Sequence, residues 1–299
     1  MPDLDDIQAF TEMVDSGSLT RAGARLGMSK SMISRRLARL EAELGTPLLA
    51  RSTRGMSLTE AGADFLPYAE RMVAELQSAR DALSRQGEAT GRLRLTAPIS
   101  LATSHLGPVL AELALRNPRL EITTSYSDRL VDLVGDGFDA AVRLGNLADS
   151  SLIARRIAPV RAVTVASPAY LARAGTPRTP AELAGHDTVP HGDVAWEFRR
   201  DGNLVTHRPR GRFTADSGAA ELAAVIAGLG IAVMPAFLAK SAIENGDVVR
   251  ILEDYTIPEA AMHVVRPPPA EPVPMKVKAL TDILLETFDD GWDGCPRPA

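Results

Sequence analysis

Along residues 31–44, Ile33, Leu37, Leu40 and Leu44 recur at intervals of four, three and four, the spacing of a single apolar stripe on a helix. At about 100° per residue the opposite face carries Ser31, Ser34, Arg35, Ala38 and Ala42. That face is short, cationic and hydrogen-bonding, so it can press against a nucleic-acid groove. Upstream, Leu4, Ile7, Phe10, Met13 and Val14 predict a first amphipathic helix that stops at Ser16-Gly17. Ser18 can cap a second, short helix running through Ala22 to Leu26, and Gly27 ends it. Ser29 then caps the third helix, whose unbonded N–H groups and positive dipole end point where a phosphate would sit. Two helices joined by a tight glycine turn make a helix-turn-helix.

The next segment, PLLARSTRGMSLT, reads as two short strands around Thr53-Arg54-Gly55, a hairpin wing with Arg51 and Arg54 placed for a phosphate backbone. Thr59 caps a long helix in which Phe65, Ala69, Met72, Leu76, Ala79 and Leu83 alternate spacings of four and three. That 3.5-residue repeat is a coiled-coil seam, and a lone helix would expose it. A homodimer is therefore expected, presenting two recognition helices to two half-sites of double-stranded DNA.

Charge sharpens this picture. The 299-residue chain has a formal net charge of −5, yet between Arg21 and Leu58 the bases Arg21, Arg25, Lys30, Arg35, Arg36, Arg39, Arg51 and Arg54 face only Glu41 and Glu43. Ser31, Ser34 and Arg35 are expected at base edges, Arg35 being suited to a bidentate contact with guanine. Arg36, Arg51 and Arg54 are expected on phosphates, and Lys30 in either role.

The segment SRQGEATG, Ser84 to Gly91, has no apolar residue besides Ala89 and reads as a hinge. Beyond it the pattern changes. Leu93, Leu95 and Ala97 alternate as a strand, and a helix follows from Leu101 to Arg116. Leu120 to Tyr126, Leu130 to Val134 and Phe138 to Leu144 continue as strand, helix and strand. This alternation predicts a mostly parallel sheet with helices on both faces. A second such unit spans Ala162 to Glu259, with strands at Val163 to Ala166, around Trp196 and Phe213 and at Ile231 to Met234, and helices near Ala169 to Ala174 and Ala219 to Ala227. Met262 to Val265 and a helix from Val277 to Phe288 then complete the first unit, so two crossing segments join two sheets and leave a cleft.

The stretch GSLTRAGARLGMSKSMISRRLARLEAELGTPLLARSTRGMSLTEAG, Gly17 to Gly62, resembles the LysR-type transcriptional regulators. DGFDAAVRLGNLADSSLIARRI, Asp136 to Ile157, ASPAYLARAG, Ala166 to Gly175, and AGLGIAVMPAFL, Ala227 to Leu238, resemble that family's effector domain. The resemblance implies an all-α winged helix-turn-helix head, a linker helix, and two doubly wound α/β subdomains of periplasmic-binding-protein type. Domains are expected at 1–60 (head), 61–90 (linker), 91–161 with 265–290 (subdomain I), 162–264 (subdomain II) and 291–299 (tail). It also implies a homotetramer assembled through the effector domains. The chain departs from the family's usual residues at Gly23, where alanine is common, at Leu49, where phenylalanine is, and at Lys30, where glutamine is. Gly23 costs up to about 1 kcal/mol of helix propensity.

In doubly wound sheets a ligand sits beyond the carboxyl ends of strands. Ser100 follows the first strand, its hydroxyl and the next amides suited to an anion, and Arg143 ends another strand, suited to a carboxylate. Thr214, Asp216 and Ser217 occupy the matching turn of the second unit. Family analogy adds Leu101 and Gly230 to the pocket and supports Ser100, Arg143 and Ser217. Ser100 and Ser217 have a second reading as helix caps, Arg143 as a member of an internal ion pair, and Gly228 and Gly230 as parts of a tight turn. The expected effector is a small organic acid or aromatic metabolite that shifts the two subdomains and so alters promoter binding.

An enzyme is not expected. GxSxG, a P-loop and a strand-linked GxGxxG are all missing, so no catalytic residues and no cofactor are assigned. Two alternatives have features to discriminate them: a zinc enzyme built on His186 and His191 in LAGHDTVPHGD, and a ligand-independent DNA-bending protein, which leaves the cleft-forming fold unexplained. The composition, 45% hydrophobic and 24% charged, suits two or more globular domains. No membrane-spanning run and no signal-peptide pattern occur, and the single cysteine, Cys295, rules out an intrachain disulfide. A cytoplasmic protein without membrane partners is the expectation.

Overall fold

The computed structural model describes residues 2–52, 55–83, 88–129, 131–145, 151–268 and 273–288. Arg54, the side chains of Arg51 and Leu83, residues 84–87 of the expected hinge, and the tail with Cys295 lie outside the described residues. The chain divides into two compact units, residues 1–91 with 132–138 and 270–275, and the remainder.

In the first unit, α1 (Leu4–Ser16), α2 (Leu19–Leu26) and α3 (Lys30–Leu44) follow the apolar stripes. Asp3 caps α1 by accepting from Asp5 N at 3.2 Å, and Ser29 caps α3 by accepting from Met32 N at 3.3 Å. Gly27 closes α2 with φ 64°. Ile7, Phe10, Met13, Ile33, Leu37 and Leu40 form the buried core, each such side chain contributing about 1.5–3 kcal/mol. Strands β1 (Leu49–Ser52) and β2 (Gly55–Leu58) pair antiparallel as the expected wing.

Helix α4 (Glu60–Leu83) starts where Thr59 accepts from Gly62 N at 3.0 Å and donates to Pro47 O at 2.7 Å. A Cβ on Gly62 would stand 2.0 Å from Leu48 O, so only glycine lets the helix start this close to the wing. The seam expectation needs correction here. Phe65 and Ala69 pack with Leu66 and Val73 on the head's own core, Phe65 meeting the Phe10 ring at 5.8 Å. Three short helices leave that core open on one side, and the first turns of α4 close it. The exposed part of the seam starts lower, with Met72 at 42% exposure beside Tyr68 at 56%, and continues through half-buried Leu76 and exposed Ala79.

In the second unit, β3 (Gly91–Ala97), β4 (Leu120–Tyr126), β5 (Ala140–Gly145), β6 (Ile153–Val160) and β12 (Ala260–Arg266) form a sheet of order β4-β3-β5-β12-β6. Strands β7 (Ala162–Ala166), β10 (Ile231–Pro235) and β11 (Val249–Ile251) form a second, of order β10-β7-β11. Helices α5 (Gly107–Arg116), α6 (Pro168–Ala174), α7 (Gly218–Ile226), α8 (Ala236–Glu244) and α9 (Met275–Thr287) complete it, with a two-stranded ribbon of β8 (Trp196–Arg200) and β9 (Asn203–His207).

Several expectations change. β3 and β5 are parallel, but β12 runs antiparallel to β5 and β6, and β7 runs antiparallel to β10 and β11. The reason is the double crossing: the chain leaves the first sheet along β6 and returns along β12, so exit and return must oppose each other. Because all of β12 belongs to the first sheet, subdomain II ends before Ala260 rather than at 264. The helix expected from Leu101 is broken into a 3-10 turn at Ile99–Leu101, a π turn at Ala102–Leu106 and α5. Pro108 has no N–H for the carbonyl four residues back, which widens the ladder there. Residues 133–137 form turns, and 131–134 no helix, with Asp132 Oδ1 accepting from Val134 N at 3.1 Å, and Phe213 lies outside any strand. Helix α8 had no counterpart in the pattern reading.

The C-terminal helix is fastened by charge. Lys276, buried at the start of α9, pairs with Asp139 Oδ1 at 2.6 Å and donates to Arg92 O at 2.7 Å, while Asp139 Oδ2 accepts from Arg94 N at 2.8 Å.

Candidate functional site

Ser29 sets the geometry of the helix α3 surface. Its hydroxyl receives Met32 N and lies 2.9 Å from Ser31 Oγ, fixing the first turn of α3. Lys30, Ser31 and Arg35 are exposed, with Arg35 Nε donating to Ser31 O at 3.4 Å, and Ser34 is half-buried. The cap and the exposed hydroxyl and guanidinium groups share one end of one helix. A groove-binding surface needs this arrangement.

Other head arginines are committed elsewhere. Arg36, expected on a phosphate, donates to Asp6 Oδ1 at 3.1 Å and Asp5 Oδ2 at 3.0 Å. Arg39 grips Asp6 with Nε and Nη2, and Arg25 Nη1 pairs with Glu12 Oε1 at 2.9 Å. Burial alone would raise the Asp6 carboxyl, but the hydrogen bonds from Arg39 and Arg36 outweigh it and hold it below the ordinary carboxylate range. The basic island is thus partly neutralised by α1. Nothing local in the sequence announces this, since Asp6 and Arg39 are 33 residues apart.

In the second unit, Arg143 lies on β5 and donates to Ser127 O at 3.3 Å and Arg129 O at 3.4 Å. Burial pushes its guanidinium below the usual arginine range, against the pull of Asp128. The N-terminal amide beside Ser100 is already used: Ile99 N donates to Asp128 Oδ1 at 3.0 Å. Ser100 is half-exposed, Leu101 is buried in the core, and Thr214 is exposed. Ser217 precedes α7 without a capping hydrogen bond from its side chain. Gly230 is buried where a Cβ would stand 2.5 Å from Asp187 O, which gives it a packing reason.

Pattern reading missed a buried charge of this unit. Glu221, on the first turn of α7 and 2% exposed, is hydrogen-bonded to His191 Nδ1. That bond raises the His191 pKa from its ordinary value; burial opposes it, and Glu221, Asp128 and Asp216 add to the rise. Arg129, from the loop after β4, comes within 4.0 Å of Asp216 ahead of α7, and the His105 ring meets Phe237 of α8 edge-on at 5.0 Å. Between the two subdomains lie the exposed Arg129–Asp216 approach and the His105–Phe237 ring contact. His186 Nδ1 is 3.1 Å from Tyr170 Oη, and among the described residues no group of three metal-ligating side chains gathers. The hollow of about 370 Å³ lined by Arg199, Arg200, Asp201, Gly202, Asp254 and Thr256 includes none of the six effector candidates.

Residues 4–63 match the model of the bacterial regulatory helix-turn-helix protein, lysR family, and residues 86–289 that of the LysR substrate binding domain. The chain is 36% identical over 288 residues to the HTH-type transcriptional regulator PtxR of Pseudomonas aeruginosa, covering 95% of this chain and 92% of that one. It is 34% identical over 258 residues to the regulator CrgA of Neisseria meningitidis, covering 84% and 86%. Among solved structures it resembles full-length AphB, the Vibrio cholerae virulence activator, at TM-score 0.57 and 29% identity over 95% of this chain and 99% of that one. It also resembles CrgA of Neisseria meningitidis at TM-score 0.58 and 30% identity over 94% and 97%. No helix among the described residues is long and apolar enough to cross a membrane.

Proposed function

The chain belongs to the LysR family of DNA-binding transcriptional regulators, and on that premise we propose that α3 reads a promoter under the control of a small organic acid held between the two α/β subdomains. One observation carries the DNA half: the Ser29-capped start of α3 with Lys30, Ser31 and Arg35 exposed together. Ser31, Ser34 and Arg35 meet base edges, and Lys30 meets a base or a phosphate. The wing arginines Arg51 and Arg54 meet phosphates, while Arg36 serves the head itself. Met72, Leu76 and Ala79, with Tyr68 added, form the dimer seam. A tetramer through the effector domains follows family usage.

The effector half rests on charge. Arg143 has N–H groups beyond the two given to Ser127 and Arg129, and His191, steadied by Glu221, offers its second ring nitrogen. An acid with a further polar group suits this setting better than a bare anion, because Asp128 and Asp216 stand nearby. Binding shifts the subdomains and, through the paired α4 helices, the spacing or bend of the two half-sites.

Gel shifts test the DNA half. Arg35→Ala is expected to lose about 1–3 kcal/mol on the specific site and to relax base preference. Equal losses on specific and random duplexes would refute base reading. A thermal-shift panel of mono- and dicarboxylates tests the effector half: stabilisation by acids, abolished by Arg143→Ala, is expected. Stabilisation by uncharged compounds alone, indifferent to Arg143→Ala, would overturn it.

A further inference from the structure

Helix α1 opens with Asp3, Asp5 and Asp6, and these acids close on the arginines of α3 in different ways. Asp6, 1% exposed, receives both Arg36 and Arg39 and organises the packing of α1 on α3. Asp5 does no such work. Its side chain is 57% exposed, and it takes the remaining terminal nitrogen of Arg36, Nη2, at 3.0 Å. Asp6 alone would keep Arg36 in position, since Nη1 already binds it at 3.1 Å.

On the helical wheel Arg36 stands about 100° from Arg35, on the flank of the exposed face and next to Arg39. For a helix laid in a groove, that flank faces the phosphate walls rather than the base edges. A phosphate and the Asp5 carboxylate would compete for the same N–H groups. Both are anionic acceptors, and Asp5 is attached to the chain.

We propose that Asp5 is an intramolecular competitor of DNA phosphate for Arg36, and that it limits the affinity of the head for duplex DNA without touching the DNA. This rests on the reading that α3 docks on DNA. It adds an affinity-setting residue that is itself acidic and lies outside the recognition helix.

The probe is a random-sequence duplex, titrated with the full-length protein over a range of salt. Asp5→Asn is expected to bind three- to tenfold more tightly at about 50 mM salt, with a log K against log salt slope steeper by about 0.9, one phosphate contact. The gain should shrink about threefold by about 200 mM salt. Asp5→Glu, which restores the carboxylate, should return the wild-type slope. In an Arg36→Gln background, where Asp6 keeps Arg39, Asp5→Asn should change neither affinity nor slope. A gain that persists in that background would mean simple long-range repulsion and would overturn the proposal, as would an unchanged slope in the single variant. Wild-type protein with no salt-dependent binding to any duplex would instead overturn the reading of α3.

Discussion

The two units use charge in opposite ways. In the head, ion pairs cross between neighbouring helices of one short stretch, Arg25 with Glu12 and Arg36 and Arg39 with Asp5 and Asp6, and they remove cations from a surface that periodicity marks as basic. In the second unit, Lys276 of α9 pairs with Asp139 and bonds Arg92 O, 184 residues back along the chain, and so fastens elements that the chain order alone would leave apart. A charged residue is a surface feature in the first case until a neighbour claims it. In the second it is a fastening from the outset.

The largest expected effect tests that fastening. Lys276→Ala takes the cation from Asp139, whose side chain is 16% exposed, and breaking a buried pair of this kind costs about 3–5 kcal/mol. Denaturant unfolding should show it, and a loss below about 1 kcal/mol, the surface-pair range, would mean the pair is a bystander. The matching test in the head is steric. Gly62→Ala forces a methyl group against Leu48 O and should cost about 1–3 kcal/mol by the same measurement, loosening the wing from α4.

Two smaller effects concern pH and run in opposite directions. The Asp6 carboxyl is held below its ordinary 3.8, so its contribution is full above that value and is lost as pH falls through the folded pKa. Acid melts of the wild type should therefore show the head loosening below about pH 4, and Asp6→Asn should flatten that step. His191 is raised above its ordinary 6.5, so its contribution is full below that value and is lost as pH rises through the folded pKa. The melting temperature of the second unit should fall slightly on the alkaline side, and His191→Gln should remove the dependence. A pH profile identical in wild type and variant would show that the Glu221 contact does no more than orient the ring.

Much of the head was legible in the chain because its determinants are local. A stripe at 33, 37, 40 and 44, a serine one residue ahead of a helix and a glycine behind another are set by helical pitch and by unpaired terminal amides. The wing followed from a turn between two short apolar runs. The effector unit was legible as alternating strands and helices, which was enough for its class but not for its strand directions. Arg143 was singled out because the pattern put it at the end of a strand, although β5 runs on to Gly145, whereas Glu221 was not, because a glutamate on a helix looks like any solvated glutamate.

By itself, then, the sequence determined the identity and order of the head elements, the capped start of α3 and the presence of two α/β layers, since periodicity and capping act within one or two turns. Only the tertiary structure decided that Arg36 and Arg39 belong to Asp5 and Asp6, that Phe65 and Ala69 close the head core, that β12 runs antiparallel to β5 and β6, and that His191 leans on Glu221. Each of these depends on which surfaces meet. Electrostatic and packing energies fall off over a few ångströms of space, whatever the separation along the chain.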